Sequence, residues 1–344
     1  MRESLLPLLA CPDCGGDLGL RPERSAEPGA WIAAGKLSCG GCGRDFPIAQ
    51  GIPRLYPKGS LEAAVQRTQK SFAWEWLRYP GSMPEDRPTF LEETQLPESE
   101  WTGKLTLDAG CGMGRYARVA RSLGARLVAF DLSDSIVRLV QQAAEDPDLH
   151  LVQGDLLHPP FKPAVFDVAY SQGVLHHTRS TSEAFARVAA LVKPGGCASI
   201  WVYGRPSSWA SFSTNPLRTG RTWLKSVLPL VWLIVWARML ASDGLRALTT
   251  RLPVPVLYAL CYPITCLGAV PLLKYLTFSV HPDFRVRLIE NFDWLAPPFQ
   301  YKHTKEELDA WFRAAGFEPL KRLAHGVVPK PGLLGRRQAP PRYH

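Results

Sequence analysis

The sequence predicts an α/β fold: a parallel sheet covered by helices on both faces, with a small metal-held unit before it and a helical insertion within it. Three observations carry this. Strand-like and helix-like stretches alternate from Lys104 onward, the mark of a parallel sheet with crossover helices. Four cysteines near the N-terminus stand as two Cys-x-x-Cys pairs. The segment Gly204–Val280 then interrupts the alternation with long uncharged runs. The chain has 344 residues, enough for two domains, and 46% hydrophobic against 21% charged residues excludes collagen-like and disordered classes.

The first 58 residues are rich in turns and hold too little apolar material to fold without a metal or a docked neighbour. Cys11, Cys14, Cys39 and Cys42 supply the metal ligands, with 24 residues between the pairs. Cys14-Gly15-Gly16 and Cys42-Gly43 provide the tight turns that thiolate knuckles need. Four sulfurs fill a tetrahedron and leave no open position, so the expected Zn²⁺ is structural; a redox or disulfide arrangement is the competing reading. Leu8-Leu9-Ala10-Cys11 looks like a lipoprotein cleavage box. The apolar stretch Leu5–Ala10 is short for a signal and Pro7 interrupts it, so the expectation is a cytoplasmic protein with no signal peptide.

Residues 59–103 read as a helix over Leu61–Trp76 followed by an irregular connection marked by Pro80, Pro84, Pro88 and Pro97. Residues 104–203 hold five apolar runs, at Leu105–Leu107, Leu127–Phe130, Leu149–Val152, Val165–Tyr170 and Ala198–Tyr203, with helices such as Tyr116–Leu123 and Ile136–Ala144 between them. Asp108, Asp131 and Asp155 close three successive strands, 23 and 24 residues apart. Residues 281–344 return to regular structure. Thr304-Lys305-Glu306-Glu307 is a capping box, and Phe317–Leu323 with Gly332–Gln338 can close the sheet as an antiparallel hairpin.

The loop Asp108-Ala109-Gly110-Cys111-Gly112-Met113-Gly114-Arg115 follows a strand and opens a helix. A dinucleotide fingerprint would need glycine where Arg115 stands. The acid before the loop, Asp108, suits a cationic amino group better than a pyrophosphate. Asp131, 21 residues after Gly110, stands where a carboxylate can grip ribose hydroxyls, and Asp155 can accept from an adenine amino group. An amino acid cation, a ribose and an adenine together describe S-adenosyl-L-methionine. Strand capping alone explains any one of the three acids but poorly explains three in register.

With Phe166-Asp167-Val168-Ala169-Tyr170-Ser171 and Leu191-Val192-Lys193-Pro194-Gly195-Gly196, this loop resembles class I S-adenosylmethionine-dependent methyltransferases of the ubiquinone/menaquinone-biosynthesis-like branch, methyltransferase type 11. The resemblance covers residues 104–203 and 300–338. It implies a Rossmann-like seven-stranded sheet, with Asp108, Gly110, Gly112, Gly114, Asp131, Asp155 and Ser171 at the cofactor. The stretch Phe46-Pro47-Ile48-Ala49-Gln50-Gly51-Ile52-Pro53 resembles zinc-ribbon activator proteins of methyltransferases, here fused to the enzyme.

Ligands of open α/β sheets lie beyond the carboxyl ends of the strands. This puts Ser171, Gln172, Val174, His176 and His177 near the methyl group, and Tyr301, His303 and Thr304 at the same edge. His176, His177 and His303 are the candidate general bases, against the plainer reading that they pack or cap. Phe72, Trp74 and Trp76 are expected over the cofactor or in the core. The net charge is +9, and +7 of it falls between Arg205 and Lys274, a segment that is also strongly apolar. Residues 204–280 are therefore expected to form a helical lid, and 207–278 to touch a membrane surface. The four prolines in Leu252–Leu273 argue against a membrane-spanning helix there. The acceptor expected is a small or lipid-like molecule. A ribosomal-RNA or tRNA methyltransferase is the alternative, disfavoured because the body outside the insertion carries only +2.

Overall fold

A computed structural model describes residues 1–23, 27, 29–59, 62–79, 81–205, 228–270, 277–279, 281–323 and 330–339. Parts of the expected insertion, 206–227 and 271–276, and the tail 340–344 lie outside the described residues.

The N-terminal unit is an antiparallel meander of β1 (Leu18–Pro22), β2 (Gly35–Cys39), β3 (Asp45–Ala49) and β4 (Ile52–Leu55). Gln50 and Gly51 join β3 to β4 with φ of 54° and 75°, the left-handed pair that a two-residue hairpin turn requires. A Cβ on Gly51 would stand 2.0 Å from the Trp31 ring, so glycine is obligatory there.

The main sheet begins where this meander ends. Its parallel strands are β5 (Leu105–Ala109), β6 (Arg126–Asp131), β7 (Leu149–Gly154), β8 (Phe166–Gln172) and β9 (Val192–Trp201). An antiparallel pair, β10 (Phe317–Arg322) and β11 (Gly332–Arg337), completes it, with β11 hydrogen-bonded to β9. The order is β7-β6-β5-β8-β9-β11-β10, with β4 added parallel to β7 through the pairs Arg54–Gln153 and Leu55–Gly154. All five residues of β5 are buried, as a central parallel strand covered on both faces demands.

The ribbon is built into this core. Leu5, Leu9 and Leu55 pack in one cluster with Val128 and Phe130. Arg2 donates to the Ala143 and Ala144 carbonyls, 2.6 Å each, and so satisfies the C-terminal turn of α4 (Val140–Glu145).

Helix α1 (Ala63–Trp76) follows the sequence expectation. The irregular connection after it does not: α2 (Asp86–Thr94) forms there. Pro88 sits in its first turn, where its missing N–H leaves no helical bond unmade. Phe90 of α2 is fully buried against Trp101, Tyr116 and Tyr170, at ring separations of 4.8, 5.4 and 5.3 Å. Helices α3 (Arg115–Ser122) and α5 (Thr181–Ala190) cover the sheet, and the stretch expected as one helix over Ile136–Ala144 is 3-10 turns over Asp134–Leu139 followed by α4.

The insertion contains α6 (Leu228–Thr249) and α7 (Val254–Leu267). Helix α6 is a single 22-residue element of the expected helical insertion. Among the described residues no helix is long and apolar enough to cross a membrane. Helix α7 shares a core with α8 (Phe284–Asp293) through Leu257, Cys261, Leu288 and Phe292. Asn291 ties the two regions together, donating to Thr265 Oγ1 at 3.2 Å and accepting from the Phe278 N–H at 3.0 Å. Helix α9 (Lys305–Ala314) opens with the expected capping box of Thr304 and Glu307.

Candidate active site and zinc site

The four Sγ atoms of Cys11, Cys14, Cys39 and Cys42 lie within 4.8 Å of one another. Cys11 and Cys42 are 3.8 Å apart, Cys14 and Cys39 3.5 Å. A zinc tetrahedron with Zn–S of about 2.3 Å puts its sulfurs about 3.8 Å apart. The N–H groups of Cys42 and Gly41 donate to Cys39 Sγ at 3.4 Å each, and these bonds pull its thiol down to about 6. The donor set fits a structural zinc with every position taken by sulfur.

The second site is a cavity of about 860 Å³ at the carboxyl ends of β5 to β8. The loop from Gly110 to Gly114 forms one wall. Gly110 has φ +98°, and a Cβ there would stand 2.4 Å from Val174, so the turn is closed to larger residues. Asp131 braces the loop: its Oδ2 accepts from the Gly112 N–H, and its Oδ1 accepts from the N–H and hydroxyl of Ser133, all at 2.7 Å. Asp108 is 4% exposed and its Oδ2 has no hydrogen-bond partner. Burial pushes its carboxyl up to about 8. Asp155 accepts from the Leu157 N–H at 2.9 Å through Oδ1, while its buried Oδ2 has no hydrogen-bond partner. Two buried carboxylate oxygens without hydrogen bonds, at the ends of β5 and β7 on either side of β6, are unfavourable unless a ligand satisfies them. They fit the ammonium and the adenine amino group of S-adenosylmethionine.

Asp108, Gly110, Gly112, Asp131 and Asp155 all line the cavity. Gly114 and Ser171 do not. Gly114 caps α3 against Leu139, and the Ser171 hydroxyl donates to the Ala109 carbonyl at 2.7 Å, tying β8 to β5.

The three histidines part company in the same way. His176 is fully buried outside the cavity. Its Nδ1 accepts from the Tyr203 N–H at 3.2 Å and its ring stacks on Tyr203 with centroids 3.9 Å apart. His303 joins Thr181 Oγ1 at 2.9 Å to Glu307 at 3.2 Å, at the start of α9. Only His177 among them lines the cavity. Its Nδ1 lies 2.9 Å from the Phe299 carbonyl, which can only accept, so Nδ1 carries the proton and Nε2 is a free acceptor. Asp293 Oδ1 stands 3.8 Å from that Nε2. Burial lowers the His177 pKa and the Asp293 charge opposes the shift.

The matches to known proteins decide what this arrangement belongs to. Residues 107–200 match the family described as methyltransferase domain, and residues 2–51 match Trm112p-like protein. The chain carries a methyltransferase domain behind a Trm112p-like ribbon. An uncharacterized chloroplastic methyltransferase of Arabidopsis thaliana is 26% identical over 60% of this chain and 65% of its own. The malonyl-[acyl-carrier protein] O-methyltransferase of Pseudescherichia vulneris is 36% identical over 27% of this chain and 37% of its own. The chain thus spans less than two thirds of the length of either relative. Among solved structures, 1,6-didemethyltoxoflavin-N1-methyltransferase of Burkholderia thailandensis is similar at 18% identity and a TM-score of 0.44, over 80% of this chain and 89% of its own. The methyltransferase domain has the class I sheet expected of it, and S-adenosylmethionine is its cofactor.

The domain's cavity is also lined by side chains that sequence reasoning missed. The helices and the turn after β9 supply Glu75 of α1, Glu290 and Asp293 of α8, and Tyr203, Phe278 and Trp294. Phe72 and Trp76 line it as well, whereas Trp74 packs on Tyr258 at 6.2 Å. The one signal in the sequence is Glu75 itself, a lone carboxylate within Phe72-Ala73-Trp74-Glu75-Trp76.

Proposed function

We propose that this protein transfers the methyl group of S-adenosylmethionine to a small or lipid-like acceptor held between the glycine loop and α8. The observation that carries this is one cavity that Asp108, Asp131, Asp155 and His177 all line. The cofactor supplies an electrophilic methyl on a sulfonium. Asp108 holds its amino acid cation, Asp131 its ribose and Asp155 its adenine. Trp76, 3.6 Å from where a Gly112 Cβ would be, covers the loop. His177 takes a proton from the acceptor at Nε2, and Asp293 stabilises the imidazolium that results.

The insertion shields this site. Arg238 of α6, Phe278 and Ser279 border the cavity, and closing it from water strengthens its electrostatics. The outer side of the insertion is apolar: Leu230, Leu233, Trp236 and Leu240 of α6 and Leu260 and Leu267 of α7 are exposed. Such a patch fits contact with a lipid surface, from which a lipid-like acceptor enters. Arg246 of α6 donates to Gln300 and Asp243, whereas Arg251 just beyond the helix is exposed.

RNA methylation is the second reading. It draws on the Trm112p-like segment and on a tRNA U34 carboxymethyltransferase of Geobacter, 33% identical over 27% of this chain and 30% of its own. Incubation with methyl-labelled S-adenosylmethionine and, separately, extracted lipids, small metabolites and total RNA separates the two. Label in the lipid or metabolite fraction, lost in His177→Gln, supports the first reading, and label in RNA alone replaces it with the second.

A further inference from the structure

Resting on the methyl-transfer reading, we infer that the acceptor carries a cationic nitrogen, received between Glu75, Glu290 and Asp293 on the helix side of the cavity. Three carboxylates from two helices converge on one aromatic-walled space. Glu75 is 2% exposed, and among the described residues no hydrogen-bond or ion-pair partner faces it. The charges that reach it are those of Asp293 and Glu290, both of its own sign. Burial, with their repulsion added, pushes the Glu75 carboxyl well up.

The neighbours are already engaged in ways that leave room for a cation. Glu290 accepts from the Ser279 hydroxyl, and Asp293 accepts from the Tyr203 hydroxyl. Each carboxylate retains a second oxygen. His177 Nε2 is a further acceptor with no donor, in a residue 6% exposed. The walls between them are Trp76, Trp294 and Phe278, with Trp294 and Phe278 stacked at 5.9 Å. The carboxylate oxygens that Ser279 and Tyr203 leave free, with the Glu75 carboxyl and the His177 Nε2 beside them, describe a receptor for an ammonium group.

These acids stand on α1 and α8, the helices beside the sheet, whereas the cofactor's carboxylates stand at the strand ends. Arg238 also borders the cavity, and its buried Nε has no hydrogen-bond partner. No ion pair among the described residues joins it to the three acids, so it does not neutralise them. It offers a second contact, for an anionic or carbonyl group of the same acceptor.

The test uses three probes of one shape: phenethylamine, 2-phenylethanol and phenylacetate. Each is titrated at neutral pH into the full chain loaded with S-adenosylhomocysteine, with heat or tryptophan fluorescence as the readout. The amine is expected to bind about tenfold or more tighter than the alcohol, and the acid weakest. Glu75→Gln should cut the amine's advantage to about twofold or less while S-adenosylhomocysteine affinity stays within about twofold of wild type. Should that variant fail to fold, Glu290→Gln serves, and the wild-type comparison decides in any case. An amine that binds no better than the alcohol, saturable or not, overturns the inference, as does a preference that survives Glu75→Gln. A preference for the acid moves recognition to Arg238 and also overturns it. Failure of S-adenosylhomocysteine to bind the wild type would instead strike the methyl-transfer reading, and this inference with it.

Discussion

The two ends of the cavity are built by opposite means. At the cofactor end, Asp108, Asp131 and Asp155 project from successive parallel strands, and backbone N–H groups brace two of them. At the acceptor end, Glu75, His177, Asp293 and Trp294 come from α1, the turn after β8, and α8, across more than 200 residues of chain. The first end is held by the sheet's own hydrogen bonds, and little can move there without breaking the fold. The second is held by helix packing and by single polar ties such as Asn291. A sheet can keep one chemistry fixed while the helices beside it vary, so the cofactor belongs to the fold and the acceptor to this chain.

The largest test abolishes the contrast. Cys39→Ser should lose the zinc and unfold β1 to β4, because metal binding and folding are one process in so small a unit. As β4 extends the main sheet beside β7, both ends of the cavity should suffer. The melting temperature is expected to fall by roughly 10 °C or more. Zinc analysis together with a thermal melt checks this. Full metal content in the variant would contradict the tetrad, and an unchanged melt would contradict the ribbon's place in the sheet.

His177→Gln sharpens the contrast from the acceptor end. Turnover should fall about 100-fold or more, with cofactor affinity unchanged. Steady-state kinetics beside cofactor titration give both numbers. A parallel loss of affinity would mean that the two ends are not separable.

A smaller effect follows from Asp108. Its pKa is raised from 3.8 to about 8, so the ligand-free folded chain holds a proton that the unfolded chain gives up. The stability this contributes is fully present below about pH 4 and is lost as pH rises through about 8. Binding a cationic amino group needs the ionised form and releases that proton. Affinity for S-adenosylhomocysteine should therefore rise between pH 6 and 8, by up to about 100-fold for one proton over two units. Asp108→Asn should flatten the dependence, and calorimetry in two buffers of different ionisation enthalpy should show about one proton released by the wild type alone.

The same contrast explains what could be read from the sequence. The cofactor end was legible because its residues are local: a glycine loop after a strand and acids one βα unit apart. The zinc tetrad was legible for the same reason. The acceptor end was not, since nothing in the chain's order brings Glu75 beside Asp293. His176 and His177 are adjacent in sequence, yet the turn after β8 sends one ring under Tyr203 and the other into the cavity. Ser171 matched its family motif, but its hydroxyl is spent on Ala109. Helix α2 was missed because its proline was weighed as a breaker, although a first-turn position tolerates it.

The central claim is that strand-end carboxylates hold an S-adenosyl cofactor, and Asp131 tests it most directly. Calorimetric titration of S-adenosylhomocysteine into the wild type and Asp131→Ala, with folding checked by circular dichroism, reads the answer. Loss of charge-assisted bonds worth about 1.5–3 kcal/mol each should weaken binding roughly 10- to 100-fold in the variant, from one site per chain in the wild type. Equal affinity in the two proteins would contradict the account.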